Sequence, residues 1–367
     1  KNNEYHINGV GLKGLTEPNK VLDCGNSGTA MRLLAGLLSA QNFYSILSGD
    51  SSLRKRPMAR IINPLTKMGA EIISRKGGKA PLSIMGKGKT NAINYKLPVA
   101  SAQVKSSLLL AALYSNEKTV IEEPATSRDH TEQMLKAAGI KIEKKKNIIT
   151  LKENKQRKLQ PLSIEVPGDI SSAAFFIAAA LIIPGSKITL NNIGLNPTRN
   201  GFLEIIEKMG ANIEYKNKRE ISGEIVADLI IKYSKLHGIE IKGEIIPRLI
   251  DEIPILSVLA TQAQGQTIIK DAEELRVKET DRIKAMTNEL KKLGANIEEL
   301  TDGMIIKGKS NLKGNTKGNT KVKSYFDHRI AMSLAVLGLK TKKGIIIENS
   351  EVINTSFPEF PGLIKKI

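Results

Sequence analysis

The residues best suited to chemistry form one short charged run, Arg276 to Arg282, with the sequence Arg-Val-Lys-Glu-Thr-Asp-Arg. Apolar residues then recur at three- and four-residue spacing as far as Gly294, which is typical of an amphipathic helix with a C-terminal glycine. We therefore predict a helix whose first turn carries the charged run and which has Lys278 and Arg282 on one face.

This run favours two kinds of chemistry, anion binding and proton transfer. A helix N-terminus offers free N–H donors and partial positive charge, and the nearby cations make it a site for phosphate or carboxylate. A carboxylate such as Glu279 adds nothing to anion binding, but among cations it can transfer protons. The alternative is a solvated helix start with alternating charges, which is the commoner meaning of such runs.

Two other predicted helix starts carry groups that bind anions. In the first, Gly25 and Gly28 would let backbone N–H groups approach a ligand closely, and Arg32 follows one turn later. In the second, Ser101 and Gln103 place a hydroxyl and an amide where they suit a phosphate or a polyol. A well-capped helix after a strand is the alternative for both.

Charged groups also occur in a loop and at two later helix starts. Arg56 lies in a basic loop that could hold an anion or be solvated. Asp251 begins an apolar segment, where an N-cap role is the more common one. Arg329 follows Asp327 and His328, so a cation and a titratable imidazole begin another apolar helix. If these helix starts converge, the protein binds a multiply anionic pair of ligands.

Length and composition exclude several classes of protein. The 367 residues suggest two domains, and no apolar run reaches the roughly 18 residues of a membrane helix. We expect a soluble, cytoplasmic protein with no membrane partner. The formal charge of +19 invites nucleic-acid binding, but aromatic residues make up only 4% and the lysines are dispersed, so we expect no nucleic-acid partner. Cys24 is the single cysteine, and four scattered histidines show no metal-ligand spacing.

A helix end that runs into a strand recurs four times, at Gly69, Gly139, Gly210 and Gly294. Apolar helices begin each unit, and a shorter helix completes the fifth; the predicted ranges are 26–40, 101–115, 169–183, 251–264, 327–339 and 357–367. These patterns predict an α/β fold of tandem repeats. We place the domain boundary before Gly168, which gives domains 1–167 and 168–367.

The number of repeats predicts an incomplete first domain. Five units do not divide into two equal domains, and residue 1 is a lysine. We therefore expect that an N-terminal unit is absent from this chain. The polar stretch from Lys307 to Lys323 is predicted to be a hairpin or a flexible loop.

Together these motifs resemble the 5-enolpyruvylshikimate-3-phosphate synthase family. The matching segments lie along the whole chain: 25–32, 49–50, 56–58, 101–105, 128–131, 168–172, 251–252, 275–282, 327–329 and 356–358. The segments 101–105 and 128–131 are similar to the class II branch, which is associated with reduced glyphosate sensitivity. The resemblance implies a two-domain enolpyruvyl transferase fold of six βαβαββ repeats, of which five are present here, and a monomer.

The family implies a reaction that needs neither a cofactor nor a metal. The enolpyruvyl group of phosphoenolpyruvate is transferred to the 5-hydroxyl of shikimate 3-phosphate, with release of phosphate, on the pathway to chorismate and the aromatic amino acids. By resemblance, Asp251 accepts the hydroxyl proton and Glu279 protonates the methylene carbon. The expected ligands of shikimate 3-phosphate are Ser101, Gln103, Asp251 and Lys278, and those of phosphoenolpyruvate are Gly28, Arg56, Gln103, Arg282 and Arg329.

Two departures from the family pattern affect the expected activity. The segment that supplies a catalytic lysine, with a serine and an arginine for substrate, has no counterpart here, and Thr355 stands where some members have a substrate-contacting lysine. We therefore expect residues 1–367 alone to be inactive, unless Lys55 or Lys105 replaces the absent lysine.

The alternative functions belong to different classes. One is the sister enzyme that acts on UDP-N-acetylglucosamine, whose reactive cysteine would align with Ser51. The others are an inactive fragment and a basic nucleic-acid-binding protein.

Overall fold

The computed structural model describes residues 4–153, 158–309, 320–341 and 344–367. The chain divides into two compact units, Lys1–Ser163 and Ile164–Ile367, a few residues before the boundary that the sequence predicts. Residues 310–319, the centre of the predicted polar hairpin or loop, lie outside the described residues.

The first unit alternates short strands with helices. Its strands are β1 (Leu22–Asp23), β2 (Tyr44–Ser48), β3 (Glu71–Arg75), β4 (Lys79–Met85), β5 (Asn94–Lys96), β6 (Thr119–Glu122), β7 (Ile142–Lys145) and β8 (Ile148–Leu151). Its α-helices are α1 (Gly28–Leu38), α2 (Ala59–Lys67), α3 (Ala102–Ala112) and α4 (His130–Ala137), and a 3-10 helix spans Leu53–Lys55.

The second unit contains longer strands and several more helices. Its strands are β9 (Lys187–Gly194), β10 (Asn212–Ile221), β11 (Glu224–Lys232), β12 (Glu240–Ile241), β13 (Gln266–Ile269), β14 (Asn296–Glu299), β15 (Met304–Lys307), β16 (Lys321–Lys323) and β17 (Ile346–Glu348). Its α-helices are α5 (Ile170–Ile182), α6 (Gly201–Lys208), α7 (Ile246–Leu249), α8 (Ile253–Gln262), α9 (Arg282–Lys292), α10 (His328–Gly338) and α11 (Phe360–Ile364). Its 3-10 helices are Gly243–Ile245, Glu273–Val277 and Ser350–Thr355.

Three sheets repeat one topology. Their strand orders are β1-β2-β4-β3, β5-β6-β8-β7 and β12-β13-β15-β14, and in each the first pair is parallel and the others antiparallel. In chain order each sheet is a βαβαββ unit. Among the described residues, the sheet β10-β11-β9 has a parallel bridge between Gly168 and Ile193 in place of a first strand, and β16 pairs with β17. The predicted α/β architecture is confirmed, whereas the count of five units out of six stays a prediction.

The four helix-to-strand glycines have the conformation that the repeat predicts. Gly69, Gly139, Gly210 and Gly294 follow α2, α4, α6 and α9, and their φ angles are +94°, +86°, +94° and +90°. Such left-handed backbone at a helix C-terminus costs glycine little, because it has no Cβ. The same turn therefore sends each of these helices into the following strand.

Apolar helices fill the core of each unit, as expected. In α5, twelve residues are buried, so the helix is packed on every side. Phe175 and Phe176 meet Phe360 edge-on, with ring centroids 5.9 and 5.6 Å apart, which fixes the C-terminal segment on α5. In the first unit, a Cβ at Gly36 of α1 would lie 2.1 Å from the Ser107 carbonyl oxygen of α3, so only glycine permits this close approach.

Candidate active site

The charged run does not form the first turn of a helix, so our prediction of a shared helical face is wrong. Helix α9 begins at Arg282, because Asp281 is its N-cap and accepts a hydrogen bond from the Lys284 amide at 3.0 Å. Lys278 and Glu279 lie instead in the connection between the 3-10 helix Glu273–Val277 and α9. The predicted end of the helix at Gly294 is confirmed.

Arg282 is the centre of the charged cluster in the second unit. Its side chain is 1% exposed. Its Nε donates to Asp327 Oδ2 at 2.8 Å, its Nη1 to Asp251 Oδ1 at 3.3 Å and its Nη2 to Glu279 Oε2 at 2.6 Å. Burial opposes the charged form, but the carboxylates outweigh it and raise the pKa of the guanidinium above its ordinary value. The guanidinium is therefore a permanent cation that joins three carboxylates.

Asp251 has a different position from the predicted N-cap. Helix α8 begins at Ile253, because Pro254 suits a first turn, where its missing N–H is not needed. The Asp251 carboxylate is 14% exposed and lies 3.6 Å from Lys278 Nζ as well as beside Arg282. Asp251 is therefore held between two cations.

Arg329 lies at the start of α10, next to this cluster. Asp327 caps α10 by accepting from the Arg329 amide at 2.9 Å, and the Arg329 guanidinium donates to the Asp251 carbonyl oxygen at 3.3 Å. Arg329 Nη1 is also 3.8 Å from the buried carboxylate of Glu252. His328 is a neutral imidazole at pH 7, since burial, together with Arg329 and Arg282 and against Asp327, lowers its pKa to about 4.

The N-terminus of α5 extends the cluster through residues that were not among the predicted site residues. Arg199 Nη2 donates to Asp169 Oδ1 at 2.5 Å and to Ser171 Oγ at 2.7 Å, and Ser171 Oγ also contacts Glu252. Burial alone would raise the pKa of Asp169, but Arg199 and Arg329 lower it below its ordinary value. Arg199 precedes α6 in an irregular loop, so no periodic pattern in the sequence could have found it.

The first unit brings its predicted residues around Gly28. Helix α1 begins at Gly28, within the predicted range 26–40, and Ser27 caps it, with its Oγ accepting from the Ala30 amide at 3.0 Å. A Cβ at Gly28 would lie 3.0 Å from Arg32 Nη1 and 3.2 Å from Arg56 Nη1, so both guanidinium groups approach this backbone. Arg56 also donates to Asn26 Oδ1 at 2.8 Å. Gly28 and Arg56 thus lie together. Arg32 belongs to the same group of side chains, although it was not among the ligands that the family resemblance implies.

Gln103 connects the starts of α1 and α3. Its side-chain amide donates to Thr29 Oγ1 at 2.7 Å, and its Oε1 accepts from Arg32 Nη1. Ser101 caps α3 through a 3.4 Å bond from the Val104 amide. The first unit therefore places Gly28, Ser101 and Gln103 at two adjoining helix starts and brings the Arg56 guanidinium to the first of them. N–H donors and guanidinium groups in this arrangement suit an anion.

Lys105, one of the two lysines proposed above as a catalytic replacement, has a completely buried side chain and does not suit that role. Its Nζ lies 3.0 Å from Glu123 Oε2 and 2.7 Å from Glu132 Oε1, with side-chain exposures of 0% for Lys105 and Glu123. Burial raises the pKa of Glu132, and the nearby ammonium group only partly offsets this. Lys105 is a structural cation inside the first unit.

Neither a metal cluster nor a membrane helix is found in the part of the chain that the structure describes. No group of three or more His, Cys, Asp or Glu side chains there could hold a metal ion. Within the same ranges, no helix is long and apolar enough to cross a membrane.

Comparison with solved structures defines the fold. The enolpyruvyl transferase NikO from Streptomyces tendae matches 91% of this chain and 74% of its own with a TM-score of 0.69, although only 14% of residues are identical. This likeness concerns the fold alone. An EPSP synthase from Acinetobacter baumannii matches 98% of this chain and 81% of its own, with a TM-score of 0.83 and 46% identity.

Sequence comparison defines the family. The sequence model of the protein family EPSP synthase (3-phosphoshikimate 1-carboxyvinyltransferase) matches residues 1–364 of this chain. A 3-phosphoshikimate 1-carboxyvinyltransferase from Syntrophomonas wolfei is 53% identical over 365 residues, which cover 99% of this chain and 84% of the relative. The chain belongs to the EPSP synthase family.

Proposed function

We propose that this protein transfers the enolpyruvyl group of phosphoenolpyruvate to the 5-hydroxyl of shikimate 3-phosphate and releases phosphate. The proposal is supported by the family and by one observation in the second unit. Arg282 donates to both Asp251 and Glu279, the two carboxylates that the reaction needs for opposite proton transfers. One buried cation thus fixes a base and an acid together.

The reaction proceeds by addition and elimination. Glu279 gives a proton to the methylene carbon of phosphoenolpyruvate, so that its C2 becomes electrophilic. Asp251 takes the proton of the 5-hydroxyl as the oxygen attacks C2. In the elimination, a proton of the new methyl group returns to the Glu279 carboxylate and the double bond is restored. Phosphate leaves from C2 and takes the proton that Asp251 holds. Both carboxylates are 14–16% exposed, so they are accessible yet shielded from bulk water.

The charge around Glu279 would change when phosphoenolpyruvate binds. In the free protein, the Glu279 carboxylate lies 2.6 Å from Arg282 Nη2. Phosphoenolpyruvate would bring the negative charges of a carboxylate and a phosphate to the same cluster. Direct contact between Arg282 and phosphoenolpyruvate stays a prediction, because Asp327, Asp251 and Glu279 already accept hydrogen bonds from this guanidinium in the free protein.

The remaining binding groups are assigned by unit. From the first unit, Ser101 and Gln103 would bind shikimate 3-phosphate, while Gly28 and Arg56, again with Gln103, would bind phosphoenolpyruvate. From the second, Lys278 binds the first substrate and Arg329 the second. Lys278 Nζ, at 26% side-chain exposure, is the more accessible of these two cations, and Arg329 is at 17%. Arginine suits a carboxylate or phosphate because its N–H donors are paired.

A phosphate-release assay tests the function. We expect phosphate release only when shikimate 3-phosphate and phosphoenolpyruvate are both present. The assay is run on residues 1–367 and on a form that carries the family's N-terminal segment, because the sequence predicts that residues 1–367 alone are inactive. Release that depends on UDP-N-acetylglucosamine instead would overturn the proposal. If neither acceptor supports release although calorimetry detects binding of shikimate 3-phosphate, the inactive-fragment alternative is the better one.

We also propose that the protein acts as a cytoplasmic monomer. Light scattering after size-exclusion chromatography tests the oligomeric state, because the molar mass measured for a dimer would be twice that of the monomer. Fractionation of cells tests the location, and recovery of the protein with membranes would contradict it.

A further inference from the structure

Arg276 belongs to the charged run, but it binds protein instead of facing a ligand. Its Nε donates to the Thr301 carbonyl at 2.6 Å, and its Nη2 donates to the Leu300 carbonyl at 2.6 Å. Its Nη1 donates to Asp281 Oδ2 at 2.8 Å and to Glu299 Oε1 at 3.0 Å. One side chain therefore ties the segment before α9 to the end of β14 and the turn that follows it.

The same turn also holds the other end of the 3-10 helix Glu273–Val277. The Ala272 amide donates to the Asp302 carbonyl oxygen at 2.7 Å, and the Asp271 amide donates to Asp302 Oδ2 at 2.8 Å. The 3-10 helix has no side-chain cap of its own. The turn Leu300–Gly303 thus contacts this helix at both ends, through Asp302 and through Arg276.

The turn itself has little room to move. A Cβ at Gly303 would lie 1.9 Å from the carbonyl oxygen of Ile269 in β13, so the backbone of the turn lies directly on a central strand. Leu300 and Gly303 close the turn by a 3.0 Å backbone hydrogen bond. A rigid support of this kind can position the residues that emerge from the 3-10 helix.

Those residues are Lys278 and Glu279. They follow Arg276 after one intervening residue and precede Asp281, which is both a partner of Arg276 and the N-cap of α9. The connection is therefore held on either side by the same guanidinium. We propose that Arg276, anchored on the turn Leu300–Gly303, is a positioning residue for Lys278 and Glu279. This inference rests on the proposed function for its kinetic consequence only.

The test compares Arg276→Lys and Arg276→Ala with a matched control, Arg248→Lys. Arg248 has 25% side-chain exposure against 24% for Arg276, and it binds Pro197, Asn200 and Glu204, none of which belongs to the charged run. The single ammonium group of a lysine at position 276 cannot donate to all the acceptors that the planar guanidinium binds. Asp302→Ala loosens the other end of the same support and is an independent variant.

Hydrogen exchange provides the readout that does not depend on activity. We expect faster amide exchange in residues 278–281 of both Arg276 variants and of Asp302→Ala, and no such change in Arg248→Lys. Unchanged exchange in the folded Arg276 variants overturns the inference. If the wild type itself shows no turnover, the proposed function fails. The hydrogen-exchange comparison then decides by itself whether Arg276 and the turn Leu300–Gly303 hold residues 278–281 in place.

Kinetics provide the second readout. In Arg276→Lys we expect kcat to fall by about tenfold or more, because small displacements of catalytic groups have effects of this size. The KM for shikimate 3-phosphate should rise, since Lys278 moves, while that for phosphoenolpyruvate stays within about twofold. A merely structural role would lower Tm and leave kcat and both KM values of the folded protein unchanged. That result, or an equal fall of kcat in Arg248→Lys, overturns the inference.

Discussion

Arg282 Nε and Asp327 Oδ2 form a buried ion pair at 2.8 Å, with side-chain exposures of 1% and 0%. The same Asp327 carboxylate caps α10, so the pair joins the N-termini of α9 and α10. Without Asp327, the Arg282 cation would still face Asp251 and Glu279, but its buried Nε–H would lose its acceptor. An unsatisfied buried donor on a charged group is costly.

Asp327→Ala should therefore destabilise the second unit by about 3–5 kcal/mol, as measured by urea unfolding. Ser27 caps α1 and is not part of an ion pair. Ser27→Ala should therefore lower the free energy of unfolding by only about 1 kcal/mol. Similar losses in the two variants would mean that the ion pair with Arg282 contributes nothing beyond capping.

Glu279→Gln should lower kcat by about a hundredfold or more and leave ligand binding largely intact, because glutamine keeps the shape of the side chain but cannot donate the proton. Steady-state kinetics and calorimetry measure the two effects. Glu273→Gln is the matched control, since this exposed glutamate lies in the adjacent 3-10 helix. An unchanged turnover in Glu279→Gln removes Glu279 from the mechanism.

His328 should make the folded protein less stable in mild acid. Its pKa falls from 6.5 to about 4 on folding, so the unfolded chain binds the proton more readily between these values. Stability contributed by the neutral imidazole is present above pH 6.5 and is lost as the pH falls towards 4, by roughly 1.4 kcal/mol per pH unit.

His328→Asn should remove that slope, which urea unfolding at several pH values would detect. Asp169 does not produce this slope. Because its pKa is lowered, the stability that its carboxylate contributes is lost only at pH values below the ordinary pKa of a carboxyl group. An unaltered slope between pH 4 and 6.5 in the variant would contradict the assignment to His328.

Lys105→Met should destabilise the first unit by about 3–5 kcal/mol, because Glu123 and Glu132 would remain buried without their cation. Adding Glu123→Gln and Glu132→Gln should recover part of this loss, since no buried charge is then unbalanced. Chemical denaturation measures both. A Lys105→Met protein of normal stability but without turnover would instead place Lys105 in the chemistry.

The sequence predicted most of the helix starts, because a capping side chain before an apolar run is a local signal. Ser27, Ser101, Asp169 and Asp327 all cap the helices that follow them. The helix start predicted at Asp251 lies two residues too early, because Pro254 sets the start of α8 at Ile253. The helix predicted over 357–367 is limited to Phe360–Ile364, which begins with Pro361 in its first turn and follows the 3-10 helix Ser350–Thr355.

The roles of individual cations could not be predicted, because they depend on partners far along the chain. Arg276 and Lys278 stand two positions apart, yet the first binds a turn around Leu300 and the second lies beside Asp251. Lys105 fits an anion-binding motif by sequence, and only its burial between two glutamates excludes that role. Residue type limits what a side chain can bind, whereas the tertiary structure determines which partner it meets.

The cluster around Arg282 combines side chains from Asp169 to Arg329, so no short segment of the chain contains it. Contacts of such high contact order form late, after the loops between them have closed. The binding groups of the second unit therefore exist only while the whole unit is folded. By thermodynamic linkage, an anion that binds there at a hundred times its Kd should add about 2.7 kcal/mol to the free energy of unfolding, an effect distributed over every helix of the unit.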